Sequence, residues 1–255
     1  MKQFKEILRK LLMLIAICAI IFSSYQLYLI YKQTNEADVV DNKIEEIIGK
    51  DESEDKSVKY LTEKSYAELA AINADLVGYL YYPSLDIHEV VTQSHDNAYY
   101  LDRSFYKDSM VYGTVFMSYD QTKESQNQTL YGHWIQNSTK KFSNLHQLRN
   151  QENYEASKTF FYADDEYVYE YEVVYVIYHE TYEDDRNVPY WQGDFTDAQF
   201  EQFVENAEHQ RLYDTQTTIE RNDRLMSLQT CITYNSEERL VIIGKEVART
   251  PLEAE

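Results

Sequence analysis

Residues 11–31 run for 21 positions without a single charged side chain. A helix of that length is about 30 Å long, the thickness of a bilayer's hydrocarbon core. The run divides the chain into a short tail, a membrane segment and a remainder that must fold by itself on one side. Lys2, Lys5, Arg9 and Lys10 precede it. Positive charge on that flank holds the N-terminus in the cytoplasm and sends the rest outside. The run is longer than the apolar stretch of a cleaved signal peptide, and no A-x-A-like site follows it. Residues 1–32 are therefore expected to be a cytoplasmic tail and an uncleaved, single-pass signal anchor in the cell membrane, with the rest of the chain extracellular.

Beyond the anchor, residues 33–64 are dominated by Asp, Glu and Lys, with Val40, Ile44, Ile47 and Ile48 at helical spacing. This pattern predicts an acidic stalk with one short amphipathic helix. Ser65 and Glu68 have the spacing of a capping box, and Leu69, Ile72 and Leu76 continue one helical face. A second helix thus leads into a folded domain over residues 65–250, with 251–255 as a tail.

Strand-like runs rich in Val, Ile, Tyr and Phe follow at 79–82, 87–92, 113–117, 129–132, 159–163, 167–178, 225–230 and 240–246. Asp164 and Asp165 separate two of them as a hairpin turn. Eight short strands in so little chain predict a mainly β fold, an eight-stranded β-barrel, because closure removes exposed edges. One helix interrupts the series. Thr196 and Gln199 form a capping box, Phe195 and Phe200 a hydrophobic staple, and Phe200, Phe203, Val204 and Ala207 one apolar face.

The chemistry concentrates near the end. Cys18 lies inside the apolar run, so Cys231 is the one cysteine of the exported part. A lone thiol outside the cell is a hazard unless it is used. The runs on either side of Cys231 read as an antiparallel pair joined by Tyr234, Asn235 and Ser236, which brings Cys231 opposite Arg239. A guanidinium beside a thiol favours the thiolate, the nucleophilic form.

Composition excludes several alternatives. The chain carries a formal charge of −20; residues 1–32 hold five cations and one anion, a balance of +4, so the remainder stands at −24. Such a surface repels nucleic acid. The histidines lack zinc-site spacing, no phosphate-binding glycine loop exists, and acids 183–185 read as a solvated loop. No metal or cofactor is expected.

Leu130-Tyr131-Gly132-His133, followed about a hundred residues later by Ser227-Leu228-Gln229-Thr230-Cys231 and then Arg239, resembles the sortases. These are membrane-anchored cysteine transpeptidases of Gram-positive bacteria. The segments Asp75-Leu-Val-Gly-Tyr-Leu80, Asn97-Ala-Tyr-Tyr-Leu101 and Gly113-Thr-Val-Phe116 look like early strands of the class B members. A helix in the connection before the cysteine strand is also a class B feature. Ser227 stands where the family's motif begins with Thr, and Trp134 follows the histidine where many class B members carry Asn or His.

The resemblance implies His133, Cys231 and Arg239 as catalytic residues, with Thr230, Leu228 and Tyr131 lining the peptide pocket. It implies a sorting signal of the N-P-x-T-[NGS] kind on secreted proteins and a thioester acyl-enzyme. The acceptor would be an amine of cell-wall (peptidoglycan) precursor, or a pilin lysine in some relatives. A cysteine hydrolase would use the same pair of residues but usually places its cysteine before its histidine.

Overall fold

Each of the eight strand-like runs forms a strand, and the strands close on one another. They are β1 (Leu76–Tyr82), β2 (Ile87–Thr92), β3 (Val115–Met117), β4 (Asn127–Tyr131), β5 (Thr159–Ala163), β6 (Tyr167–Glu180), β7 (Leu225–Cys231) and β8 (Glu238–Pro251). In this computed structural model residues 2–49, 61–180, 189–231 and 238–253 are described, and for Lys2, Glu180 and Cys231 the backbone alone. The expected turn at 234–236 and the acids 183–185 lie outside the described residues. Around the barrel the order is β1-β2-β3-β4-β7-β8-β6-β5, returning to β1. The pairs β2/β3 and β4/β7 are parallel and all others antiparallel.

Strand alternation sorts side chains into two layers. Leu80, Val91, Leu130, Phe160, Val176, Met226, Leu228, Leu240 and Ile242 fill the barrel. Leu225, Val241, Ile243, Tyr175 and Ile177 point the other way and meet helix α3 (Asp197–Gln210) through Phe200, Phe203 and Ala207. That helix starts as its sequence predicts. Thr196 accepts from the Gln199 amide while the Gln199 side chain accepts from the Thr196 amide, and the Phe195 and Phe200 rings meet edge to face at 6.0 Å. Burying a phenylalanine such as Phe203 contributes about 1.5–3 kcal/mol, enough to dock a helix that is otherwise polar.

The β5–β6 hairpin turns at Asp164. Its carboxylate accepts from the Glu166 and Tyr167 amides, both at 2.8 Å.

The N-terminal region differs from its expected form. The anchor and the stalk helix are one continuous helix, α1 (Lys2–Ile48), the one described helix long and apolar enough to cross a membrane. No Pro or Gly stands between its first residue and Gly49, where the backbone turns to φ +91°. With no breaker and with helix-forming Gln, Glu, Ala and Lys after the apolar run, helical hydrogen bonding simply continues. Helix α2 (Glu63–Ile72) begins earlier than predicted. Thr62 is its N-cap and Ser65, expected there, is the third residue, accepting from the Thr62 amide at 2.9 Å. Leu76 leaves the helix face for β1. Both helices pack on β1 and β2, with Ile44, Leu69, Leu76, Tyr79, Tyr81 and Val90 buried together.

At the other end β8 continues to Pro251 because β6 pairs with it that far, and Leu252 is buried.

Candidate active site

The strand register brings the predicted catalytic positions to one rim. Tyr131 pairs with Gln229 in the parallel β4/β7 ladder, and Gly132 N–H continues it by donating to the Gln229 carbonyl at 3.1 Å. His133 therefore follows β4 at the level where Cys231 ends β7. Cys231 pairs in turn with Arg239, and Arg239 with His179 of β6. Cys231, Arg239 and His179 thus occupy one row across β7, β8 and β6, with His133 just beyond the end of β4. Parallel strands end at the same rim and an antiparallel neighbour begins there, so three distant stretches of sequence meet.

His133 is held from several sides. Gly132 lets the chain pass directly over the Phe142 ring; a Cβ at that position would lie 2.6 Å from it, closer than any side chain tolerates. The His133 carbonyl accepts from Phe142 N–H at 3.1 Å, closing residues 133–142 into a loop. Its Nε2 lies 2.7 Å from the carbonyl oxygen of Leu101. A carbonyl only accepts, so Nε2 is the donor in this contact and carries a proton. Trp134, next in the chain, turns away to stack on His146 with centroids 5.6 Å apart.

Arg239 is half-buried, and its Nη1 donates to the Glu238 carbonyl at 3.2 Å. Its charge reaches Tyr131 on the far side of β7. Burial pushes the Tyr131 phenol up to about 12, with Arg239 among the groups pulling it back. The Tyr131 ring also packs 5.3 Å from Phe116.

The other two expected pocket residues lie elsewhere. Leu228 is wholly buried in the barrel cluster, and Thr230, on the same side of β7, is buried with no partner for its hydroxyl among the described residues. The opposite series, Leu225, Ser227 and Gln229, faces the outer layer, and Cys231 stands next in it. Gln229 and His179 are the residues that sequence reasoning missed there. Both are buried, and among the described residues neither the Gln229 amide nitrogen nor the His179 ring nitrogens have a hydrogen-bond partner. Counting by twos from Cys231 points to Gln229; nothing in the sequence points to His179.

The segment before α3 is tied down by amides. Asn127 Nδ2 donates to the carbonyls of Tyr190 and Gln192 at 2.9 and 3.0 Å, and Gln121 Nε2 donates to that of Trp191 at 2.8 Å. These bonds hold the segment before α3 against the outer face of β4. His179 meets the Tyr190 and Trp191 rings edge-on, at 5.2 and 6.3 Å. Among the described residues no cluster of His, Cys, Asp or Glu could hold a metal ion.

Known proteins share this fold. The family described as Sortase domain matches residues 80–247. Sortase B of Listeria monocytogenes is 26% identical over 253 residues, 97% of this chain and all of the relative. Among solved structures, sortase B of Bacillus anthracis in complex with AAEK1 superposes with a TM-score of 0.72 at 26% identity, over 85% of this chain and 99% of the other. A Staphylococcus aureus sortase B–substrate complex gives 0.66 at 25% identity, over 73% and 86% of the two chains.

Proposed function

Since this chain belongs to the sortase family and is like its class B members over most of its length, we propose that it is a cysteine transpeptidase anchored by α1 in the cell membrane. It cleaves a C-terminal sorting signal on secreted proteins, of the N-P-x-T-[NGS] kind, and transfers the new carboxyl end to an amine of cell-wall precursor. The observation that supports this reading is the register that pairs Tyr131 with Gln229 and Cys231 with Arg239, so that position 133 follows β4 toward the same rim.

Each residue has a distinct task. The Cys231 thiolate attacks the carbonyl carbon of the signal's threonine, and the C–N bond to the next residue breaks as His133 protonates the leaving amine. An incoming amine then attacks the thioester, loses its proton to His133 and expels the thiolate. Arg239 donates to the oxyanion of each tetrahedral intermediate, a contact worth roughly 2.7–4 kcal/mol where water is excluded. The bond made is of the same kind as the bond broken, so no external energy source is needed.

The test is to incubate the protein with a peptide carrying such a signal and weigh it by mass spectrometry. A peptide adduct mapped to Cys231, absent in Cys231→Ala and discharged by an added amine to ligated product, is the expected result. Ligation by Cys231→Ala would reject the assignment. An adduct that yields only hydrolysed peptide in the presence of amine would make the protein a hydrolase.

A further inference from the structure

Two loops hold His133, and both rest on the same stretch of α1. The first is its own loop, 133–142. Ile135 packs with Val40 and Ala37 of α1, and Ala37 is fully buried. The second is the segment after Leu101, whose carbonyl holds His133 Nε2. Met110 and Tyr112 of that segment pack on the same Ala37, the Tyr112 hydroxyl lies 3.1 Å from that of Thr34, and the Lys43 ammonium sits over the Tyr106 ring.

The first loop is also bound by charge. Lys140 Nζ lies 2.9 Å from Asp38 and 2.8 Å from Asp41, both on α1. Lys141 Nζ lies 3.5 Å from Asp41 and 2.7 Å from Glu89 of β2. Lys141 and Glu89 are almost wholly out of water, with side chains 3% and 7% exposed. Burial alone would pull the Lys141 ammonium down, but the Glu89 and Asp41 carboxylates more than offset this and hold it above the ordinary lysine value. The backbone at Lys141 is left-handed, φ +55°, a strained conformation for a lysine that persists only where surrounding contacts hold it. A five-residue ionic chain thus runs from α1 through the end of the His133 loop into the barrel wall.

Anchoring a helix to a barrel would need none of this at the histidine loop, because Ile44 already buries itself against β1 and β2. We propose that residues 34–48 of α1 position the catalytic histidine: Asp38 and Asp41 grip Lys140 and Lys141, Ile135 and Tyr112 seat on Ala37, and together they fix the Nε2-to-Leu101 contact that aims His133. This rests on the reading of His133 as the proton carrier. Lys140, Lys141, Asp38 and Asp41 are positioning residues and touch no substrate.

The experiment uses the full chain in lipid nanodiscs. Lys140→Met and the double variant Asp38→Asn/Asp41→Asn remove the grip from opposite sides, at positions exposed enough for the fold to survive; thermal melting checks that it does. Each should lower kcat about tenfold, since misplacing a catalytic group by a fraction of an ångström to one ångström costs between ten- and a hundredfold. KM should stay within about twofold of wild type. Lys140→Arg, which keeps the charge, should restore most of the rate.

A second readout does not depend on activity. With ¹⁵N-labelled histidine, the His133 Nε2–H signal should exchange with water faster in both variants and recover in Lys140→Arg. Unchanged kcat and an unchanged His133 signal in both variants would overturn the proposal, as would a loss of rate with no change in the signal. If the wild-type chain does not ligate yet the His133 signal responds, the positioning stands and the catalytic reading falls.

Discussion

Arg239 separates two ways in which a cation can serve a nucleophile. If it acted by charge alone, a lysine there would keep most of the activity, since either cation favours the thiolate. If it grips an oxyanion with its planar fork, lysine is a poor substitute. The second case is expected. Arg239→Lys should lose on the order of a hundredfold in kcat/KM, the low end for losing one oxyanion donor. Alkylation of Cys231 followed against pH should move little in the same protein. Ligation near the wild-type rate would reject the hydrogen-bonding role. The facing of Cys231 and Arg239 was legible because the run before Cys231 alternates, the run after Arg239 is a continuous β-branched stretch, and the gap between them is short. The end of β4 at Tyr131 was legible through the histidine motif. Leu228 and Thr230 sit in the cysteine motif, yet they alternate onto the barrel side of β7. A motif marks neighbours in sequence, whereas a strand presents neighbours two apart.

Strand β6 shows why His179 could not be read in advance. Tyr169, Tyr171 and Val173 face the barrel, and continued alternation would send His179 inward too. A bulge between Val173 and Tyr175, opposite Gly244 and Ile243 of β8, inserts one residue and reverses the alternation. Val176 then faces the barrel while Tyr175 and Ile177 meet the α3 layer, and His179 arrives beside Arg239. Bulges arise from pairing with a distant strand, so no local pattern announces them. The same applies to Glu89 on β2, which looks like a solvent-facing acid until Lys141 is placed over it. Breaking such a buried pair is costly while replacing it whole is not. Glu89→Gln should lower unfolding free energy by about 3 kcal/mol, near the low end for an uncompensated buried charge because Asp41 still faces Lys141. Glu89→Leu/Lys141→Met should recover much of that stability. Urea denaturation of the three proteins measures both effects, and a single variant as stable as wild type would show that water reaches the pair.

On the scale of the whole molecule, the barrel begins to touch α1 at Thr34, three residues past the end of the apolar run. The residues that carry the His133 loop, Ala37 to Asp41, follow within about 9–15 Å of Tyr31 at ~1.5 Å per helical residue. With the apolar run in a bilayer, the segments around Tyr112 and Ile135 that flank His133 are where the barrel meets α1 closest to the lipid. That continuity was hidden by a change of composition at Lys32, where apolar gives way to acidic; the signal that remained was the lack of any Gly or Pro before Gly49. Inserting eleven helix-forming residues between Lys32 and Gln33 adds three turns and lifts the barrel by ~16 Å without turning it. The lengthened protein should ligate a soluble amine at the wild-type rate. Its rate on an amine fixed to a short lipid headgroup should fall at least about tenfold, because a tether too short to span the gap has no effective concentration at the site. Equal rates on the lipid-bound amine would contradict the fixed height. A rigid shaft of this kind changes the unit in which reactants are counted. An active site held close to the bilayer by α1 would meet reactants that slide along the membrane, so turnover would follow their number per area of membrane and not per volume outside the cell.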